Sequence, residues 1–265
     1  MGDVKIVARS TDKQERDKIS RWDAGRQFLM DAIRLTRKPD GCVVMLVMMD
    51  KSRELIQEFR DKQQPMTYTP LIVRACALAL RRHPWMHSMI RGRKVVEPAN
   101  VEIGISVASK ESVTPVVVIS DPDKKSLVEI GQELRERSRG ARKWQEDSIN
   151  TMRRYGRFIP AALRTLMARL FMRSQRARRH LVGTFQITSV AGRGIEIAAP
   201  FVLTSTTLLS LGHITERAVV VDGKVEAKLC VYIAILPDHR LVDGGRAWEF
   251  LSDVRALLEE PSSLM

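Results

Sequence analysis

The chain has 265 residues, 44% of them hydrophobic and 28% charged, enough apolar material for one large folded domain and too much for a disordered chain. No apolar run exceeds eight residues and the charged first twenty residues have no signal-peptide core, so a cytoplasmic protein without a membrane span is expected. Of the net charge of +13, +11 falls between Arg135 and His180; the basicity marks one segment, and no zinc-finger, helix-turn-helix or aromatic RNA-platform pattern accompanies it, which disfavours nucleic acid as the partner.

Residues 1–20 read as a flexible arm. Residues 21–37 can form an amphipathic helix through Phe28, Leu29, Ala32, Ile33 and Leu35, ended by Pro39-Asp40-Gly41. Residues 42–49 then read as a buried strand and 50–61 as a helix with Leu55, Ile56 and Phe59 on one face. Thr69-Pro70 predicts a helix start, a capping hydroxyl followed by a proline that needs no backbone acceptor, with Leu71, Ile72, Ala75, Leu78 and Ala79 as the apolar stripe. The alternation Val101, Ile103, Ile105, Val107 predicts a half-buried strand, and residues 113–119 a second. Ser126 with Glu129 is a capping box opening a further helix. Beyond the basic segment, strands are expected at 184–190, 195–203 and 206–211, and a hairpin around Asp222-Gly223 with arms at 218–221 and 225–236. A last helix, 244–259, is capped by Asp243 and carries Ala247, Phe250, Leu251, Val254, Leu257 and Leu258 on its inner face. The three cysteines, Cys42, Cys76 and Cys230, lie in apolar segments without metal-ligand spacing and read as reduced core residues. Elements mix without regular alternation or repeat, which points to an α/β protein with a mixed sheet, one domain carrying an insertion.

The sharpest local feature is Pro237-Asp238-His239-Arg240-Leu241-Val242-Asp243-Gly244, a histidine in the turn between a long apolar strand and a capped helix. Such a turn is a sound mount for an exposed imidazole, with Asp243 fixing the turn and Gly244 letting the chain pass closely. Spacing alone does not separate this reading from an ordinary turn histidine.

The His-x-x-x-Asp-Gly motif resembles the active-site motif of the catalytic domain of dihydrolipoyl acyltransferases, the core subunits of 2-oxo-acid dehydrogenase complexes, which are related to chloramphenicol acetyltransferase. Gly183-Thr184-Phe185-Gln186-Ile187-Thr188 resembles that family's Gly-Thr-Phe-Thr-Ile-Ser stretch. Ile103-Gly104-Ile105-Ser106-Val107, Thr114-Pro115-Val116-Val117 and His83-Pro84 fall in the family's order. The resemblance implies a chloramphenicol-acetyltransferase-like mixed sheet with flanking helices, a catalytic domain over 21–262 with a basic helical insertion at 139–182, and a coenzyme A-dependent acyltransferase. It implies His239 as general base, Thr188 as hydroxyl donor to the oxyanion, Asp243 as the support of the histidine loop, and a homotrimer, or a multiple of trimers, with the site shared between subunits. His87 replaces the family's asparagine after His-Pro. Pro84 breaks any helical face shared by His83 and His87, so no metal site is expected there.

Nothing resembling a lipoyl domain precedes the catalytic part, so no lipoyl group is expected on this chain. Acyl transfer to a lipoyl domain supplied in trans and a non-catalytic oligomeric scaffold remain the alternatives to a free acceptor. In the insertion, Ile159, Ala162, Leu163, Leu166, Met167 and Leu170 fall at helical spacing, with Arg157, Arg164, Arg169, Arg173 and Arg176 broadly opposite. That pattern suits contact with an anionic membrane surface or an acidic partner protein, and equally a helix packed on its own domain.

Overall fold

The computed structural model describes residues 18–21, 41–107, 115–155, 170, 174–190, 194–200 and 205–265. A seven-stranded mixed sheet forms the centre, built from β2 (Val43–Met48), β5 (Glu102–Ser106), β6 (Val116–Ser120), β7 (Phe185–Ser189), β8 (Thr207–Leu211), β9 (Thr215–Val221) and β10 (Lys224–Pro237). The order is β2-β10-β8-β7-β5-β6, with β9 paired to the first half of β10. The pairs β7–β8 and β5–β7 are parallel, the others antiparallel. A smaller sheet, ordered β1-β4-β3, joins β1 (Lys18–Arg21), β3 (Met89–Arg91) and β4 (Lys94–Glu97). The end of the expected arm is therefore paired: Lys18 to Arg21 lie in register with Glu97 to Lys94.

Side-chain alternation divides the large sheet into two faces. Val43, Met45 and Val47, Ile103 and Ile105, Phe185 and Ile187, Leu209 and Leu211, and Val231, Ile233 and Ile235 all point into one core. Helices cover that face: α1 (Asp50–Asp61), α2 (Tyr68–Arg82), the first part of α3 (Leu127–Tyr155) and α5 (Gly244–Glu259). The inner face of α5 is the one the sequence predicts, with Ala247, Phe250, Leu251, Val254, Leu257 and Leu258 all buried. On the opposite face Leu208, Ala234 and Leu236 form a separate small cluster. There α4 (Gln175–Val182) contacts β5 and β6 and ends at Gly183, whose positive φ of 74° favours glycine.

The capping box is formed. Ser126 N donates to Glu129 Oε2 at 2.7 Å and Glu129 N to Ser126 Oγ at 3.3 Å. The hairpin turn has positive φ at both Asp222 and Gly223, the geometry a two-residue turn needs to match strand twist.

Four expectations are corrected. The helix predicted from Thr69 begins at Tyr68 with Thr67 at its cap and no side-chain cap bond; Pro70 still sits in the first turn, where its missing donor costs nothing. Residues 195–200 are not a strand, although the Ile195 carbonyl accepts from His213 N at 2.8 Å. Cys42 is exposed, whereas Cys76 and Cys230 are buried. The capping-box helix does not stop near residue 139 but continues to Tyr155. Of the helix expected at 21–37, Arg21 is instead the last residue of β1 and residues 22–37 lie outside the described residues, as do Arg157, Arg164, Leu166, Arg169 and Arg173 of the insertion. Leu170 is helical and 57% exposed, and Arg176 is exposed on α4. No helix among the described residues is long and apolar enough to cross a membrane.

Candidate active site

β10 delivers His239 into a turn tied down at both ends. Pro237 is still paired to Thr207, and Asp238 N donates to the Thr206 carbonyl at 2.8 Å. The Asp238 carbonyl then accepts from Leu241 N at 2.9 Å and Val242 N at 3.1 Å. Its carboxylate accepts from Arg240 N at 3.1 Å and grips the same residue's guanidinium, with Nε at 2.8 Å and Nη2 at 2.5 Å. On the far side, Asp243 accepts from Arg246 N at 3.1 Å and caps α5. Asp243 supports the turn from the helix side, but Asp238 carries most of the bonds within it. Charge-assisted bonds of this kind hold a loop more firmly than neutral ones.

The His239 ring is half-buried and its near neighbour is Gly41. A Cβ at position 41 would stand 3.2 Å from His239 Cδ2 and 4.0 Å from Nε2. Gly244 has no such role within the chain: it starts α5, is exposed, and a Cβ there would meet nothing within 4 Å. The close passage expected of Gly244 belongs to Gly41.

Thr188 lies on β7 opposite Ser210 of β8, which in turn pairs with Ala234 of β10. It is half-buried, on the sheet face away from Phe185 and Ile187. His239 follows Pro237, three residues along β10 from Ala234 and two strands across from Thr188. At strand spacings that puts Thr188 about 14 Å from Pro237, and the His239 ring lies beside Gly41, toward β2 on the side of β10 away from β8 and β7. One chain does not bring the two groups together.

The other histidines are engaged elsewhere. His83 Nε2 is 3.0 Å from Asp253 Oδ2. His87 is buried, its Nδ1 3.2 Å from Thr184 Oγ1. Thr184 spends its one proton on the Glu102 carbonyl at 3.1 Å, so His87 Nδ1 is the donor to it. Burial, reinforced by the charges of Arg81 and Arg179, pushes the His87 imidazole down to about 4 and keeps it neutral. Glu102 grips Arg179 with two bonds, Nε at 3.0 Å and Nη2 at 3.1 Å, fastening α4 to β5. Arg178, on the same helix, has its affinity for its proton lowered by burial and by the charge of Arg240. A cleft of about 810 Å³ opens along α4, lined by Arg91, Glu102, Gln175, Arg176, Arg179 and His180, a basic lining suited to an anionic ligand. Among the described residues no group of three or more His, Cys, Asp or Glu could hold a metal ion.

This sheet order and its covering helices define a mixed-sheet acyltransferase fold. A solved chloramphenicol acetyltransferase superposes with a TM-score of 0.53 at 15% identity, over 89% of this chain and 96% of that one. The cubic core of a pyruvate dehydrogenase multienzyme complex superposes with a TM-score of 0.65 at 18% identity, over 96% and 94%. The family model for the 2-oxoacid dehydrogenases acyltransferase catalytic domain matches residues 35–149 and 159–265, and the chain belongs to that family. Between the two matched stretches only residues 150–158 are left out, a far shorter segment than 139–182. Among curated relatives, the dihydrolipoyllysine-residue acetyltransferase component of the pyruvate dehydrogenase complex of Bacillus subtilis is 24% identical over 216 residues, which are 80% of this chain and 42% of that protein. The chain thus spans less than half the length of that relative.

Proposed function

We propose that the chain is a coenzyme A-dependent acyltransferase that works as a homo-oligomer, with His239 of one subunit and Thr188 of another completing each site. The observation that carries this reading is the pairing of a firmly mounted, half-buried imidazole with a hydroxyl that the same chain cannot bring to it. The resemblance between this chain and oligomeric acyltransferase cores supports the assembly. In this scheme His239 takes the proton of the acceptor thiol or hydroxyl as the acceptor's sulfur or oxygen attacks the thioester carbonyl. The Thr188 hydroxyl donates to the oxyanion that forms. When the carbonyl reforms and the thiolate leaves, the imidazolium returns the proton to it, so His239 ends neutral. A neutral imidazole near working pH can serve in both directions. The acceptor thiol belongs to dihydrolipoamide, free or on a lipoyl domain supplied by another chain.

The test is acetyl transfer between acetyl-CoA and dihydrolipoamide by the full chain. His239→Ala should slow turnover about a hundred- to ten-thousandfold without changing the oligomer. Thr188→Val should slow it about a hundredfold with acetyl-CoA binding kept. Mixed oligomers of the two variants should regain part of the wild-type rate, because some interfaces then carry neither lesion. Variants that stay inactive after confirmed subunit exchange, or a wild-type chain that is monomeric in solution, would remove the shared site. A wild-type oligomer that binds no coenzyme A would favour the scaffold alternative.

A further inference from the structure

Ser210 is 1% exposed, and its hydroxyl has no hydrogen-bond partner among the described residues. A buried hydroxyl without a partner costs stability, so its position calls for a reason. It pairs directly with Thr188 across the parallel β7–β8 ladder, about 4.8 Å away between backbones. Alternation along β8 sends Leu209 and Leu211 into the main core and leaves Ser210 on the face of Leu208 and Ala234. Thr188, next to core-facing Ile187, is on that same face. Within the sheet, the described residues nearest Ser210 on its face are Leu208 and Gly212 along β8, Ala234 on β10 and Thr188 on β7. Of these only Thr188 has a polar side chain. The Thr188 side chain likewise makes no hydrogen bond among the described residues, and the two hydroxyl-bearing residues stand directly side by side on one face of the ladder.

We propose that Ser210 is a positioning residue that acts through Thr188, its hydroxyl donating to Thr188 Oγ1 when an acyl group is bound. A threonine hydroxyl has a single proton, and catalysis needs that proton on the substrate oxygen. A donor from Ser210 fills a lone pair of Thr188 Oγ1 and leaves the Thr188 proton to point at the oxyanion. The same bond polarises Thr188 and strengthens its donation. The inference rests on the proposed role of Thr188 in acyl transfer.

The experiment measures kcat and KM for acetyl-CoA, together with melting temperature, for the full chain and for Ser210→Ala, Ser210→Cys, Thr188→Val and the double variant Thr188→Val/Ser210→Ala. The cysteine keeps the bulk of serine but replaces the hydroxyl with a weak donor. Both Ser210 variants should lower kcat about three- to tenfold, the effect of one neutral hydrogen bond, with KM unchanged. Melting temperature should hold steady or rise, because a partnerless buried hydroxyl is removed. Adding Ser210→Ala to Thr188→Val should produce no further loss, since the serine acts only through the threonine. Wild-type kcat in Ser210→Ala beside a slow Thr188→Val would overturn this inference and leave the proposed function standing. Losses that multiply in the double variant, or a fall in melting temperature that accompanies the fall in kcat, would also overturn it. A Thr188→Val chain as fast as wild type would overturn the proposed role of Thr188, and this inference with it.

Discussion

Acid should destabilise this fold through His87. The side chain is 3% exposed, packed behind Thr184, and held at about 4 by burial first and by Arg81 and Arg179 second. In the unfolded chain the same imidazole takes its proton near 6.5. Between those two values the unfolded state binds more protons than the folded one, so stability rises with pH. The contribution is fully present above about 6.5 and is lost as pH falls toward 4. At pH 5 the unfolded imidazole has gained roughly 1.5 units of titration that the folded one has not, which corresponds to about 2 kcal/mol. The control is His87→Asn, which restores the residue the family resemblance places there. Its amide can still donate to Thr184 and has nothing to titrate. Urea denaturation at pH 7.5 and pH 5.0, at one protein concentration, gives the loss for each chain. Wild type should lose about 2 kcal/mol more than the variant over that interval. Equal losses in the two chains would show that His87 is protonated in the folded state at pH 5, and the account of its burial would fail.

Two further outcomes follow from the site and from the charge distribution. Gly41→Ala would place a methyl 3.2 Å from His239 Cδ2, in a turn bound at both ends, and should slow acetyl transfer about tenfold with a melting temperature within about 2 °C of wild type; an unchanged turnover would mean the ring is free to yield. The +11 segment should carry the chain onto anionic vesicles at low salt and release it as salt rises, with Leu166→Glu and Leu170→Glu together weakening what remains. Co-sedimentation across a salt series checks this, and no binding at low salt defeats it.

What the sequence makes legible here is local. The inner face of α5, the Ser126–Glu129 box and the Asp222-Gly223 turn each depend on residues a few positions apart, and the structure has all three. Thr188 and His239 come from the family resemblance; their spacing says little. Failures occur where distant chain segments decide. Gly41 matters because of an imidazole nearly two hundred residues later, and Ser210 because a parallel pairing sets it beside Thr188. Asp238 was in view as part of the motif, but its clamp on Arg240 depends on side-chain geometry that no spacing encodes. Residues 195–200 show the opposite error: of the strands expected at 195–203 and 206–211 only the second is in the sheet, as β8, while 195–200 form no strand. Thr69 fails by two residues, because a hydroxyl before proline is a common signal of a helix start without fixing which residue caps it.

β10 sets where this chain can change length. Its first half lies in a hairpin whose Val220 and Val225 are 71% and 74% exposed, and its second half is gripped by β2 on one side and β8 on the other before it turns into His239. Residues added at Asp222-Gly223 would lengthen a solvent turn and shift nothing downstream. One residue added between Cys230 and Pro237 would exchange the two faces of the strand, pushing Tyr232 toward the core and Ile233 out of it, and would advance the imidazole by about 3.3 Å. The last seven residues of β10 therefore act as a ruler of fixed length, while the hairpin end is open to extension.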